Sequence, residues 1–135
     1  MESKINDYAK FVDKTTSMES KHYPSFIAGT AVLENNEPVM NVPRVLTSAI
    51  GMMAESGEFT ELLKKMVFQG KEFNEDVRFH MKRELGDILW YWIQGCIALG
   101  YTPDEVMDEN IKKLEARYPN GFEVVRSENR QEGDL

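Results

Sequence analysis

Glu55 and Glu58, and later Glu84 and Asp87, form two acidic pairs with i, i+3 spacing. On a helix, residues three apart share one face and lie about one turn apart. Two such pairs brought face to face would repel and raise each other's pKa values. A divalent cation removes that conflict. Ligation by oxygen alone suits Mg²⁺ or Mn²⁺ rather than zinc. Zinc is further disfavoured because the chain holds one cysteine, Cys96, and only two histidines, His22 and His80.

The elements that must carry these acids follow from periodicity and punctuation. Ile5, Tyr8, Phe11 and Val12 recur at helical spacing and predict a first helix from about Ile5 to Thr16. Pro24, Gly29, Pro38 and the Asn35-Asn36 pair predict a loop over roughly Lys21 to Asn41, with a faint strand pattern at Thr30 to Leu33. A loop of that length is often functional. A second helix is expected from Pro43 to Gln69, stopped by Gly70, and a third from Glu75 to Leu99, stopped by Gly100. The fourth begins after Thr102, an N-cap with Glu105 three residues on, and ends near Tyr118 before Pro119. The expected class is all-α, a four-helix-bundle-like fold. Its long second and third helices form an antiparallel pair. One domain, 1–135, is expected, with its core at about 43–122 and a polar tail at 123–135.

Placed on a wheel of about 3.6 residues per turn, the second helix carries an apolar stripe. Its members are Val45, Ala49, Met52, Phe59, Leu62, Leu63 and Met66. Glu55 falls inside that stripe and Glu58 beside it, where a plain amphipathic helix would be apolar. In the third helix the stripe is Val77, Met81, Leu85, Ile88, Trp92 and Cys96, with Glu84 at its edge and Asp87 one turn further round. One acidic pair on a solvated face means little. Two pairs that interrupt or edge apolar stripes on neighbouring helices point to a metal site. On the fourth helix Asn110, Lys113 and Arg117 fall within an arc of roughly 60° and offer donors to an anion. Tyr91 lies near the acidic edge of the third helix, whereas Trp92 belongs to its stripe. Lys64, Lys65 and Lys71 gather at the exit of the second helix, where the helix dipole alone favours lysine. His80, one turn before Glu84, reads as structural.

The net charge of −7 argues against gripping a nucleic-acid polymer, which depends on cationic side chains. It does not argue against a small phosphate-bearing ligand at a cation-loaded site. The first residues lack a basic-then-apolar leader pattern, and the apolar run from Ile88 to Leu99 is too short to span a bilayer. A cytoplasmic protein without membrane partners is expected.

Glu55-Ser56-Gly57-Glu58, followed by Glu84-Leu85-Gly86-Asp87, resembles the ExxE…ExxD signature of the MazG-like nucleotide pyrophosphohydrolases. These form part of the all-α NTP pyrophosphatase superfamily. AIGMMAESGEFTELLKKMVFQGK, from Ala49 to Lys71, is similar to the family's first core helix, and RELGDILWYW, from Arg83 to Trp92, to its second. NIKKLEARYPNGF, from Asn110 to Phe122, resembles the closing helix and turn of the phage and bacterial branch. The resemblance covers roughly Val45 to Phe122.

The resemblance implies hydrolysis of a nucleoside triphosphate to the monophosphate and pyrophosphate. It implies Mg²⁺ on Glu55, Glu58, Glu84 and Asp87, with Mn²⁺ as the substitute. It also implies substrate contacts from Asn110 and Lys113, and a homodimer or homotetramer. Many members carry a double Glu at the start of the first motif, where this chain has Ala54. The number of metal ions therefore stays open. So does the general base, between Glu58 and Glu55, with Glu61 a further possibility. Two other readings remain open: an enzyme similar to phosphoribosyl-ATP pyrophosphohydrolase, and a non-catalytic helical module that binds a cation or a partner.

Overall fold

The computed structural model describes residues 4–31, 33–34 and 37–129. The chain divides into two compact units, Met1–Pro43 and Arg44–Leu135.

The first unit contains α1 (Lys4–Thr15), α2 (Tyr23–Gly29) and a hairpin of β1 (Leu33–Glu34) and β2 (Glu37–Pro38). The strands are antiparallel, with Leu33 opposite Pro38 and Glu34 opposite Glu37. Ile5, Tyr8, Phe11 and Val12 line α1 at the expected spacing, and all four are exposed. Lys21 ties the end of this helix down, reaching both the backbone carbonyl and the carboxylate of Asp13.

α2 corrects the expected loop over 21–41. Its two turn residues mark the ends of a helix instead. Pro24 sits in the first turn, where a missing N–H costs no bond, and Gly29 is the last residue. The faint strand pattern at Thr30 to Leu33 survives only at Leu33, with Glu34 continuing the strand. Residue 32 and the Asn35-Asn36 pair lie outside the described residues.

α3 (Val42–Gln69) opens at the end of the first unit. From Arg44 on it belongs to the second, with α4 (Glu75–Ala98), α5 (Pro103–Arg117) and α6 (Val124–Glu128). The four expected helices correspond to α1, α3, α4 and α5, and the fold is all-α apart from the hairpin. Gly70 ends α3 with φ of +67°, a left-handed conformation that glycine adopts without penalty. Asn74 then caps α4, its side chain accepting a hydrogen bond from the Val77 amide at 3.0 Å. Glu75 and Asp76 add negative charge at the positive end of the helix dipole. Gly100, with φ of +78°, turns the chain into α5. There Thr102 and Glu105 form the reciprocal capping box that the sequence predicts.

Within the segment expected as a polar tail, Val124 to Glu128 form a short helix. Arg117 secures it from α5, donating to the carbonyls of Arg126 at 3.3 Å and Ser127 at 2.9 Å. Residues 130–135 lie outside the described residues.

α3 and α4 run antiparallel, since partners rise along one helix as they fall along the other. Arg44 meets Gln94, Ser48 meets Tyr91, and Glu55 meets Glu84. Among the described residues, the buried apolar side chains are Val77, Cys96 and Ala98. Leu63 and Leu85, expected on the buried stripes, are exposed, because each stripe is wider than the single neighbouring helix can cover. Leu46, Ile50, Met53, Leu89, Trp90 and Ile97 are exposed as well. No helix is long and apolar enough to cross a membrane.

Candidate functional site

The site begins at the closest approach of α3 and α4. Ser48, only 2% exposed, donates its hydroxyl to the Tyr91 carbonyl at 2.7 Å. A Cβ on Gly95 would stand 2.7 Å from that hydroxyl oxygen, so the two helices meet there backbone to side chain. Arg44 adds a second neutral-acceptor bond, its Nε donating to the Gln94 side-chain oxygen at 2.6 Å.

Two turns further along each helix, from Ser48 to Glu55 and from Tyr91 to Glu84, the small polar groups give way to acids. Glu55, Glu58 and Glu84 can each offer a carboxylate oxygen such that all three atoms lie within 4.8 Å of one another. Glu55 and Glu84 are half-buried and Glu58 is exposed. Burial foremost, and then the charges of Glu58, Asp87 and Glu84, push the Glu55 carboxyl above the usual glutamate range. A hydrogen bond with the Glu84 side chain acts in the same direction. Asp87 is exposed and outside the group of three, yet its charge reaches Glu55.

The donor set fits a hard divalent cation. Three carboxylates at this separation present only oxygen, and a cation between them would cancel the repulsion that Glu55 registers. An all-oxygen set of this kind, with water completing the shell, differs from the nitrogen and sulfur ligands of a closed zinc site.

Beside the acids opens a cavity of about 500 Å³, lined by Glu58, Glu84, Glu61, Lys65, Lys71 and His80, among others. Glu61 is already engaged there, paired with Lys64 at 2.5 Å and Lys65 at 3.4 Å. The Lys64 bond leads in holding its carboxyl below the usual range, which makes it a weaker proton acceptor than Glu55. His80 approaches Asp76 at 3.5 Å. The lysines and His80 border the acids more closely than their sequence signals suggest. The available signals were the i, i+4 spacing of His80 and Glu84 and the flanking of Gly70 by basic residues.

The remaining predicted site residues are arranged differently. Tyr91 lies one turn beyond Asp87, half-buried, with its ring against Gly51 of α3 and Trp90 edge-on at 4.9 Å. Asn110 and Lys113 line a separate cleft of about 690 Å³ on α5, together with Tyr101, Glu105 and Lys112. Among the described residues, none of the four acids lines that cleft. Arg117 makes the α6 carbonyl contacts already described, and its guanidinium also lies 5.2 Å from the Tyr118 ring centroid.

This arrangement can hold a cation in a carboxylate cluster, keep a proton-accepting glutamate next to it, and border it with cationic and aromatic side chains. Residues 45–122 match the family model of the MazG nucleotide pyrophosphohydrolase domain. The Gene 37 protein of Mycobacterium phage L5 is 29% identical over 83 residues, which cover 60% of this chain and 72% of that protein. No solved structure matches the chain. The match spans more than half of the chain and contains both acidic pairs, so the chain belongs to the MazG nucleotide pyrophosphohydrolase family.

Proposed function

We propose that this protein is a Mg²⁺-dependent hydrolase, with Mn²⁺ able to substitute, that cleaves (deoxy)nucleoside triphosphates to the monophosphate and pyrophosphate. The observation that carries this reading is the cluster of Glu55, Glu58 and Glu84, with the Glu55 carboxyl raised by burial and by its acidic neighbours. Glu55, Glu58, Glu84 and Asp87 hold the cation, whose chemistry is to neutralise charge on the phosphate oxygens. Glu58 or Glu55 accepts the proton of the attacking water. The bond broken is the bridge between the α- and β-phosphates. Attack on either flanking phosphorus gives the same products. Glu55 is half-buried within the cluster, and exposed Glu58 is the more open to solvent.

Tyr91 stacks on the nucleobase, and Asn110, Lys113 and Arg117 serve the phosphates or sugar. The cleft on α5 supports a role for Asn110 and Lys113 if a neighbouring chain brings its acids to it. That neighbour belongs to a homodimer or homotetramer. Support comes from the wide exposed apolar surface of α3 and α4, including a groove of about 650 Å³ containing Phe59, Phe79, Met81 and Leu85. The catalytic domain is a single one with its core at about 43–122, acting in the cytoplasm on free nucleotides rather than on nucleic-acid polymers.

The test is pyrophosphate release from a panel of NTPs and dNTPs with Mg²⁺, on wild type and Glu58→Gln. Turnover in wild type, reduced about 10²- to 10⁴-fold in the variant, is expected for loss of a proton acceptor and ligand. Equal activity in both would overturn the site assignment. Absence of turnover with every nucleotide would overturn the function. Turnover of phosphoribosyl-ATP alone would move the substrate assignment to that class.

A further inference from the structure

Gly51 and Ser48 hold Tyr91 from two directions. A Cβ built on Gly51 would lie 2.2 Å from Cδ1 and Cε1 of the Tyr91 ring and 2.5 Å from Cγ. The atoms in conflict include the root of the ring rather than its flexible tip, so any side chain at 51 must move the whole ring. Gly51 is itself buried, and its φ is not in the left-handed region. Glycine is therefore not required here for backbone conformation. It is required for the space that the ring occupies. Ser48, one turn earlier, fixes the backbone of the same residue through the 2.7 Å bond to the Tyr91 carbonyl. Trp90 closes another side of the ring, edge-on with an interplanar angle of 89°.

The glycines inside the acidic motifs differ. A Cβ on Gly57 or Gly86 would meet nothing within 4 Å. Close packing at glycine is found instead at Gly51, against the Tyr91 ring, and at Gly95, against Ser48. The turn that carries Tyr91 adjoins the acids, because Gly51 and Glu55 are four residues apart on α3, and Asp87 and Tyr91 are four apart on α4.

We propose that Gly51 and Ser48 are positioning residues for nucleobase binding, which fix the Tyr91 ring in the turn next to Glu55 and Asp87, where it meets the base of a nucleotide whose phosphates lie at the cation. The proposal rests on the reading of Tyr91 as the base contact. Neither residue touches substrate. Both act through Tyr91, and they set affinity for the base rather than for the polyphosphate.

The experiment measures, in Mg²⁺, the dissociation constant of a non-hydrolysable triphosphate analogue of the best-used nucleotide. Inorganic tripolyphosphate, which has no base, is measured in parallel. The proteins are wild type, Gly51→Ala, Ser48→Ala, Tyr91→Ala and the two doubles with Tyr91→Ala. Stacking on an aromatic side chain contributes enough that Tyr91→Ala and Gly51→Ala should each weaken nucleotide binding about ten-fold. Ser48→Ala, which adds no bulk, should weaken it about three-fold, near the worth of one hydrogen bond. Tripolyphosphate affinity should not move. In the Tyr91→Ala background, Gly51→Ala and Ser48→Ala should have no further effect, since residues that act through one group are not additive.

A parallel loss of tripolyphosphate affinity, or the same loss in the Tyr91→Ala background, would mean a general packing role and overturn the proposal. If Tyr91→Ala weakens nucleotide binding and neither Gly51→Ala nor Ser48→Ala does, this proposal fails and the Tyr91 assignment stands. If Tyr91→Ala has no effect, both fail. Should Gly51→Ala not fold, Ser48→Ala alone decides the question by the same criteria.

Discussion

Two nearby turns of the α3–α4 pair solve opposite problems. At Ser48, Gly51, Tyr91 and Gly95 the helices meet through neutral groups, with a buried hydroxyl satisfied by a carbonyl and glycines that leave room for a ring at 51 and for that hydroxyl at 95. Two turns on, from Ser48 along α3 and from Tyr91 along α4, the same helices bring carboxylate oxygens of Glu55, Glu58 and Glu84 within 4.8 Å of one another. The first contact is favourable by itself and the second is not. A buried hydroxyl that finds its acceptor contributes about 1 kcal/mol. Clustered carboxylates raise one another's pKa, as Glu55 registers. The comparison teaches that close approach at Gly95 and Ser48 sets the helix separation at which the acids face one another, while Gly51 sets only the place of the Tyr91 ring, and that the proposed cation would relieve the acids' repulsion.

The largest effect should come from the neutral turn. Gly95→Val drives side-chain atoms into Ser48 and is expected to cost about 1–3 kcal/mol by urea unfolding, as overpacking does. It should weaken Mg²⁺ binding as well, since it spreads the helices that carry the acids. Full stability with unchanged Mg²⁺ affinity would break the link between the two turns.

A second effect concerns pH and metal. The raised Glu55 pKa means that the folded chain keeps this proton to higher pH than the unfolded chain does. The stability associated with it is complete below the ordinary value of 4.5 and is lost as pH rises through the raised folded-state value. Metal-free protein should therefore show a falling contribution to its thermal midpoint as pH climbs above 4.5. Saturating Mg²⁺ or Glu55→Gln should flatten that slope. Glu61 and Glu105, whose pKa values are lowered, contribute the opposite slope below 4.5. Melting curves across pH, with and without Mg²⁺, check both limbs. A slope above 4.5 unchanged in Glu55→Gln would assign it elsewhere.

The smallest effect is predicted at Glu61. Its lysine pairs are partly exposed, and pairs of that kind contribute less than about 1 kcal/mol. Glu61→Gln should therefore leave stability within that margin. It should also retain most pyrophosphate release, in contrast to Glu58→Gln. A loss in Glu61→Gln as deep as in Glu58→Gln would extend the acidic site along α3.

Local signals in the sequence were readable where chemistry and punctuation coincide. Gly70, Gly100 and the Thr102–Glu105 box end and begin helices where their residue types say they must. The two acidic pairs stood out because they interrupt apolar stripes. α2 was not readable, because Pro24 and Gly29 signal a loop and a helix's two ends equally well. The Ser48–Tyr91 bond joins positions 43 apart, and no local pattern announces that a serine will meet the backbone of Tyr91 and a glycine its ring. Arg117 shares a helical arc with Asn110 and Lys113, yet its hydrogen bonds go to carbonyls nine and ten residues further on. Wheel geometry reports the side of a helix, not which neighbour arrives there.

If Arg117 serves the phosphates as proposed, its contact with α6 makes ligand recognition and the seating of that helix rivals. Its guanidinium reaches the carbonyls of Arg126 and Ser127 through Nε and Nη2, the atoms that form a fork for a phosphate. An anion that took both would release α6 from its anchor on α5. Occupancy of that guanidinium could then be followed far from any phosphate, as faster amide exchange or easier proteolysis at Val124–Glu128.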